Sequence, residues 1–458
     1  MSETTPHTSA SLSRAILLAA QTRCAMSEGA SLEKALEAAC RGADAAERAA
    51  AQSLVYGATR LHMLVDVVFS RLAKRPPEAT VRFIALVALS LLVESPERSY
   101  AVCNEAVKAV KSVNVHAAGF VNACLRRFMR EREALLAQAR RREEVRFNAP
   151  TWWIAKMRAA LGKNRADAMM ALVQTRPPMT VRVNRRKTTV ADWCAAARAA
   201  GVAVRELGAA PGALTSEAVE VLDPVPVTHL PGFAEGLVSV QDAGAQLAAH
   251  FLAPAAGERV LDACAAPGGK TAHLLELADC RVTALEVDPK RTARIHENLE
   301  RLNLTARVVT ADAGDIASQS RWYEGSPYDA VLLDAPCTAS GIVRRHPDIV
   351  FSRRPSDVAA LALQQKRLLE ALWPLVKFGG RLLYVVCSVF KEEGVEQITS
   401  FLSRHPDAVL KAVRPQTETM ITMTPMDADG IECPPTVPGI ACVHDGFFYA
   451  LLEKRSPA

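Results

Sequence analysis

Two cysteines stand where a thiol could act as a nucleophile. Cys387 follows the run Tyr384-Val385-Val386, and Cys337 closes Asp334-Ala335-Pro336-Cys337. Each comes after an apolar stretch that reads as a buried strand. Each thiol therefore falls at a strand's carboxyl end, where doubly wound folds gather their functional groups. A lone cysteine in a strand ordinarily serves as a small core hydrophobe, and Cys264 reads closer to that, as do Cys24, Cys40, Cys103, Cys124, Cys194 and Cys280. Two cysteines at neighbouring strand ends, beside Asp334 and Lys270, suit nucleophilic chemistry instead. A nearby ammonium favours thiolate, and a carboxyl group can hydrogen-bond a polar substrate.

A second constellation suits a cofactor. Asp262-Ala263-Cys264-Ala265-Ala266-Pro267-Gly268-Gly269-Lys270-Thr271 follows one predicted strand and opens a predicted helix. Glycines in such a turn let the backbone approach a ligand closely. The spacing is neither the dinucleotide fingerprint nor the P-loop, which disfavours a phosphate-binding reading. Glu286, ending the next strand, can accept hydrogen bonds from ribose hydroxyls. Asp312, after the third strand, is placed to meet an adenine amino group. Cys264 to Lys270 with Glu286, Asp312 and Asp334 together fit a cofactor containing adenosine. Any one of these acids alone could equally cap a loop.

These residues need a parallel sheet to hold them. Strands are expected at 259–263, 281–287, 306–310, 329–334 and 381–386, with helices at 271–278, 292–302 and 358–376 between them. Continuous apolar runs such as Ala330-Val331-Leu332-Leu333 fit strands buried on both faces, and the alternation argues for a doubly wound α/β domain over 236–458. The first, fourth and fifth of these strands should lie side by side. The apolar string 446–452 is expected to add an edge strand.

Residues 1–145 read as an all-α bundle. Val102, Ala106, Ala109, Val110 and Val113 recur at helical spacing, and Pro76-Pro77 and Ser95-Pro96 break the run into separate helices. Residues 146–235 read as a small α/β subdomain, with Arg182 and Asn184 on a strand that leads into Arg185-Arg186-Lys187.

The net charge of +6 lies wholly in the first third of the chain, since residues 1–150 hold 21 Lys/Arg against 15 Asp/Glu. A basic module joined to a neutral one suits an enzyme with a nucleic-acid-binding arm, although a solvated helical surface would give the same imbalance. No apolar stretch reaches the roughly 18 residues of a membrane helix. The start, Met1 to Leu12, lacks a signal-peptide pattern, so a cytoplasmic protein with reduced thiols is expected. No Cys/His spacing suggests a structural zinc.

The segments DACAAPGGKT, LLDAPCTASGIVRRHPDI and YVVCSV resemble the signature motifs of the Sun-type RNA cytosine-5 methyltransferases. VSVQDAGAQLAA at 238–249 and DGFFYALLEK at 445–454 extend the likeness. QSLVYGATR at 52–60 and GFVNACLRRF at 119–128 resemble a NusB-type RNA-binding domain. Glu286 stands where the family commonly has Asp, which retains the carboxylate.

The resemblance implies a Rossmann-like methyltransferase domain, S-adenosyl-L-methionine as cofactor, and methylation of cytosine carbon 5 in 16S rRNA, at position 967. It makes Cys387 the nucleophile at carbon 6 and Cys337 the thiol that assists release. Asp334 would then hold the base's polar edge, with Lys270 beside it. Arg344, Arg345 and His346 are expected as RNA contacts, along with Arg182 and Asn184. The expected partner is 16S rRNA or a small-subunit assembly intermediate, met by a monomer without metal or membrane.

Two rivals stand beside this reading. One is a DNA cytosine-5 methyltransferase with Cys337 as nucleophile, against which the second thiol and the helical arm argue. The other is a non-catalytic RNA-binding factor built on the helical arm.

Overall fold

The computed structural model describes residues 11–207, 216–412, 420–424 and 443–456. The polar start read above, residues 1–10, lies outside them. The described residues fall into two units, one reaching to residue 155 and taking in 346–353, the other holding the rest.

The first unit is built from helices Leu12–Ser27, Leu32–Ala39, Ala45–Arg60, His62–Leu72, Ala79–Glu94, Ser99–Lys111 and Ala118–Ala139. The helix Ala79–Glu94 is apolar nearly all round and buries ten side chains, which suits a helix surrounded by others. Its start follows Pro76-Pro77 and its end precedes Pro96, as the breaker positions predict. Asp44 and Glu47 form a reciprocal capping box that fixes the start of Ala45–Arg60. Val102, Ala106, Ala109 and Val110 make the buried face of Ser99–Lys111. Val113 lies past that helix's end and is 41% exposed, because the helical period stops applying there. Segment 346–353 packs into this unit, with Ile349 and Val350 buried and the Phe351 ring edge-on to His62 at 4.4 Å. Its place in the chain assigns it to the C-terminal domain, and the packing does not.

The second unit carries two sheets. The smaller has strands β1 (Met179–Val183), β2 (Val204–Glu206), β3 (Ala218–Val221) and β4 (Val238–Val240), all antiparallel in the order β2-β3-β1-β4. It therefore reaches past 235 to residue 240. Trp193, Cys194 and Ala197, from the helix Val190–Ala199, bury its apolar face.

The larger sheet has strands β5 (Arg259–Ala263), β6 (Arg281–Glu286), β7 (Arg307–Thr310), β8 (Tyr328–Asp334), β9 (Val376–Val386), β10 (Ala408–Lys411), β11 (Met420–Met423) and β12 (Phe447–Lys454). Their order is β10-β12-β9-β8-β5-β6-β7, with β11 also paired to β12. β5 to β9 are parallel, and Leu332 and Leu333 are fully buried, as strands covered on both faces require. The chain winds from β5 outward to β7, then returns to β8 on the other side. The carboxyl ends of β5 and β8 thus flank the switch point, where a ligand crevice forms. The string expected at an edge, β12, is instead interior. It pairs antiparallel with β9 on one side and with β10 and β11 on the other.

No helix among the described residues is long and apolar enough to cross a membrane.

Candidate active site

The loop expected to hold a cofactor leaves β5 through Cys264, whose φ of 64° is left-handed, and turns at Gly268, φ 97°. A Cβ at Gly268 would press on the Ile295 backbone at 3.3 Å in a conformation L side chains disfavour. The loop is then pinned from outside. Arg291 Nη2 donates to the Ala266 carbonyl at 2.9 Å and Asn298 Nδ2 to that of Pro267 at 2.8 Å. Arg182 Nη1 donates to the Gly269 carbonyl at 2.9 Å. The backbone is held in place before any ligand arrives.

A cleft of about 280 Å³ opens at the carboxyl ends of β5, β6 and β8, lined among others by Cys264, Glu286, Asp312, Asp334, Cys337 and Cys387. Glu286 is buried. Its Oε1 accepts from the Asp288 amide at 3.0 Å, whereas Oε2, 3.2 Å from the Arg291 guanidinium, has no hydrogen bond. A buried carboxylate oxygen left without a hydrogen-bond donor fits a ligand hydroxyl. Asp312 Oδ1 accepts from the Gly314 amide at 2.8 Å, and both its oxygens face Arg367 Nη2. The donor set, an open acidic acceptor beside a glycine turn, fits the ribose and base of an adenosine-containing cofactor. Asp262 lies beneath, fully buried. Burial pushes its carboxyl up to about 7 against the opposing hydrogen bond from Thr271 Oγ1 at 2.6 Å. Burial likewise raises the Cys264 thiol, helped by the acids around it.

The two thiols meet. Cys337 Sγ and Cys387 Sγ are 3.4 Å apart, because β8 and β9 are adjacent and in parallel register up to Asp334 opposite Val385. Cys337 is buried and Cys387 half-buried. The hydrogen bond to Cys387, then burial, then the charges of Cys387 and Glu393 hold the Cys337 thiol well above its ordinary range. Lys270 Nζ donates to Asp334 Oδ2 at 2.6 Å. Burial alone would depress this ammonium, but Asp334 outweighs it and keeps the group above its ordinary value.

The structure thus brings together Lys270, Asp334, Cys337 and Cys387 with the loop Cys264, Ala265, Ala266, Pro267, Gly268, Gly269 and with Glu286 and Asp312. It does not bring the expected RNA contacts with them. Arg182 is 1% exposed and forms a two-pronged pair with Glu276 at 2.8 Å, besides bonding Gln241 and Gly269. Asn184 is equally buried and donates to the Gly236 carbonyl at 3.1 Å. Arg344 is 3% exposed and donates to the Arg176 carbonyl at 2.7 Å. Arg345 joins Asp242 at 2.6 Å, Asp445 at 2.5 Å and the Pro178 carbonyl at 2.9 Å. These four arginine and asparagine side chains tie segments of the fold together, and the expectation that they are open RNA contacts is corrected for them. His346 is exposed.

Sequence reading also missed a joint. Glu217 Oε1 meets His250 Nε2 at 2.6 Å and His273 Nε2 at 2.8 Å, linking the small sheet to two helices of the large one. The three residues are far apart in the chain, so no spacing could reveal them. Hydrogen-bonded contacts this short suit imidazole N–H groups donating to carboxylate better than ligands spread around an ion.

A parallel sheet with this strand order, a glycine turn at its switch point and an acidic cleft beyond it define a Rossmann-like methyltransferase. Comparison with known proteins sharpens that class. Residues 249–453 match the model described as 16S rRNA methyltransferase RsmB/F, 149–228 the ferredoxin-like domain of that group, and 11–130 the NusB family. The chain is 39% identical over 445 residues to ribosomal RNA small subunit methyltransferase B of Pseudomonas putida, covering 96% of this chain and 98% of that protein. It is 37% identical over 433 residues to the protein of the same name from Citrobacter koseri, covering 93% and 96%. The crystal structure of PH0851 matches at TM-score 0.74 and 25% identity, over 99% of this chain and all of that one. The chain belongs to the RsmB/F family of 16S rRNA methyltransferases and carries a NusB-like domain.

Proposed function

We propose that this 16S rRNA methyltransferase methylates cytosine at carbon 5 by covalent catalysis, with Cys387 as nucleophile and Cys337 assisting release. The single observation that carries the reading is the pair of sulfurs 3.4 Å apart beside the Lys270–Asp334 ion pair.

Cytosine carbon 5 is a poor nucleophile in the aromatic ring. Addition of a thiolate at carbon 6 turns the ring into an enamine whose carbon 5 can attack an electrophile. Cys387 suits the attack because it is the more exposed of the two thiols, while Cys337 is kept as a thiol by its surroundings. As the thiolate adds, nitrogen 3 would take a proton from water and donate it in a hydrogen bond to the Asp334 carboxylate, which Lys270 keeps oriented. After methylation the carbon-5 proton passes to water, its bonding pair re-forms the ring double bond as the Cys387 sulfur leaves carbon 6 as thiolate, and the Cys337 thiol 3.4 Å away can hydrogen-bond that departing sulfur.

S-adenosyl-L-methionine would supply the electrophilic methyl group, held by the loop 264–270 with Glu286 and Asp312. A base paired in a duplex cannot reach a half-buried thiol beside a buried one, so the target is single-stranded or flipped out. The position, cytosine 967 by family likeness, and a cytoplasmic place of action are part of this proposal.

Bisulfite sequencing of 16S rRNA from cells with and without this gene tests it. Protection of one cytosine only in cells that have the gene is the expected result. Identical bisulfite patterns, with methyl found elsewhere on the rRNA, would overturn the carbon-5 assignment.

A further inference from the structure

Glu393 lies six residues beyond Cys387 in a run of charges, Lys391-Glu392-Glu393, that reads as solvated surface. Its neighbours behave so, Glu392 pairing with Lys156. Glu393 itself is fully buried. Its Oε1 accepts from the Thr338 amide at 2.8 Å and from Gln365 Nε2 at 3.1 Å. Its Oε2 accepts from the Thr338 hydroxyl and from Ser388 Oγ at 2.6 Å. A carboxylate offers about four acceptor sites, and all are taken.

The donors are not scattered. Thr338 follows Cys337 directly, and Ser388 follows Cys387. The two turns are stitched further where Ser340 Oγ meets Ser388 Oγ at 2.9 Å and the Gly341 amide donates to the Cys387 carbonyl at 3.0 Å. Gln365 also donates to the Pro336 carbonyl at 3.0 Å, and Tyr384 donates its hydroxyl proton to the Glu393 carbonyl at 2.7 Å. A buried acidic side chain so fully bonded, with both partner turns bearing a thiol, has a geometric task.

We infer that Glu393 is a positioning residue that locks the turns of Cys337 and Cys387 into one unit and so fixes the separation of their sulfurs. The inference rests on the reading of those two thiols as the reacting pair. The carboxyl group acts through Thr338 and Ser388, the residues that follow the two thiols directly. A displacement of about 1 Å in such a pair costs on the order of 100-fold in rate.

The test is steady-state and single-turnover methyl transfer from labelled S-adenosylmethionine to a 16S rRNA transcript, with cofactor affinity measured by calorimetry. For Glu393→Ala the expected result is a fall in kcat of roughly 100-fold, with cofactor affinity and the KM for RNA within about threefold of wild type. Glu393→Gln keeps the reach and shape, and the hydroxyls of Thr338 and Ser388 can turn to accept from its amide, so it should recover most of the lost kcat. A Glu393→Ala protein with wild-type kcat, a loss that falls equally on cofactor affinity, or a Glu393→Gln protein no better than alanine each overturns the inference. Should Glu393→Ala not fold, Ser388→Ala cuts the link to one turn alone. It should lower kcat about tenfold at unchanged cofactor affinity, and unchanged kcat overturns the inference. Wild-type protein that transfers no methyl to cytosine in this assay would instead remove the reading of the thiols, and this inference with it.

Discussion

Asp262 shows how much a single residue can reveal about the site it underlies. Its carboxyl sits fully buried at the end of β5, raised to about 7, so it stays protonated in the native protein over a range where the unfolded chain has ionised. Between about pH 4 and 7 the native state therefore holds the extra proton, and the stability this group contributes falls as pH rises through that window, levelling off above it. Asp262→Asn keeps the shape and cannot ionise. Its melting temperature relative to wild type should climb from pH 4 to 7 and then stay flat. A constant difference across that range would contradict the buried, protonated carboxyl. The glycine turn, Glu286, Asp312 and both thiols were legible because strand ends at a switch point are defined by pattern. Arg182, Asn184, Arg344 and Glu393 were misread or overlooked because polarity does not announce burial. Each is a charged or amide side chain whose partners, Glu276, Gly236, Arg176 and Thr338, lie far along the chain.

The elements hold the site through joints as much as through strands. Arg182 on β1 spans from Glu276 on one helix to the Gly269 carbonyl at the start of that helix, so the small sheet braces the cofactor loop directly. Removing one partner of a buried pair leaves the other charge uncompensated, at a cost of about 3–5 kcal/mol. Arg182→Met should destabilise by about that amount in denaturant unfolding and weaken cofactor binding, while the double variant Arg182→Met/Glu276→Leu regains much of the stability but not the binding. Equal stability of the single variant and wild type would contradict the joint. Boundaries of β5, β6 and β8 could be read to within a residue or so, because apolar runs bounded by turn residues leave little choice. β12 could be found but not placed. A run as apolar as Phe447–Leu452 needs cover on both faces, and the two short strands that pair along its outer side, β10 and β11, have only four residues each, too few to carry a pattern.

At the scale of the whole molecule, catalysis and basic charge are separated along the chain. Arg126, Arg130, Arg140, Arg141 and Arg142 are exposed on the helical, NusB-like unit, which holds the excess positive charge. If those arginines neutralise rRNA phosphates, replacing Arg140, Arg141 and Arg142 with alanine should weaken RNA binding and flatten its dependence on salt, at unchanged cofactor affinity. An unchanged salt slope would assign them to surface solvation. The division into helical and α/β parts was plain from periodicity. The return of 346–353 to the helical unit was not, since a segment of eight residues has no period that says what it packs against. All these parts serve one claim, that Cys387 bonds to the target base while Cys337 stands by to release it. The most direct test incubates wild type, Cys337→Ala and Cys387→Ala with 16S rRNA and S-adenosylmethionine, then resolves protein from RNA on a denaturing gel while counting methyl groups transferred. The account predicts turnover by wild type, a stalled protein–RNA adduct with Cys337→Ala, and neither adduct nor methylation with Cys387→Ala; full turnover by Cys387→Ala would contradict it.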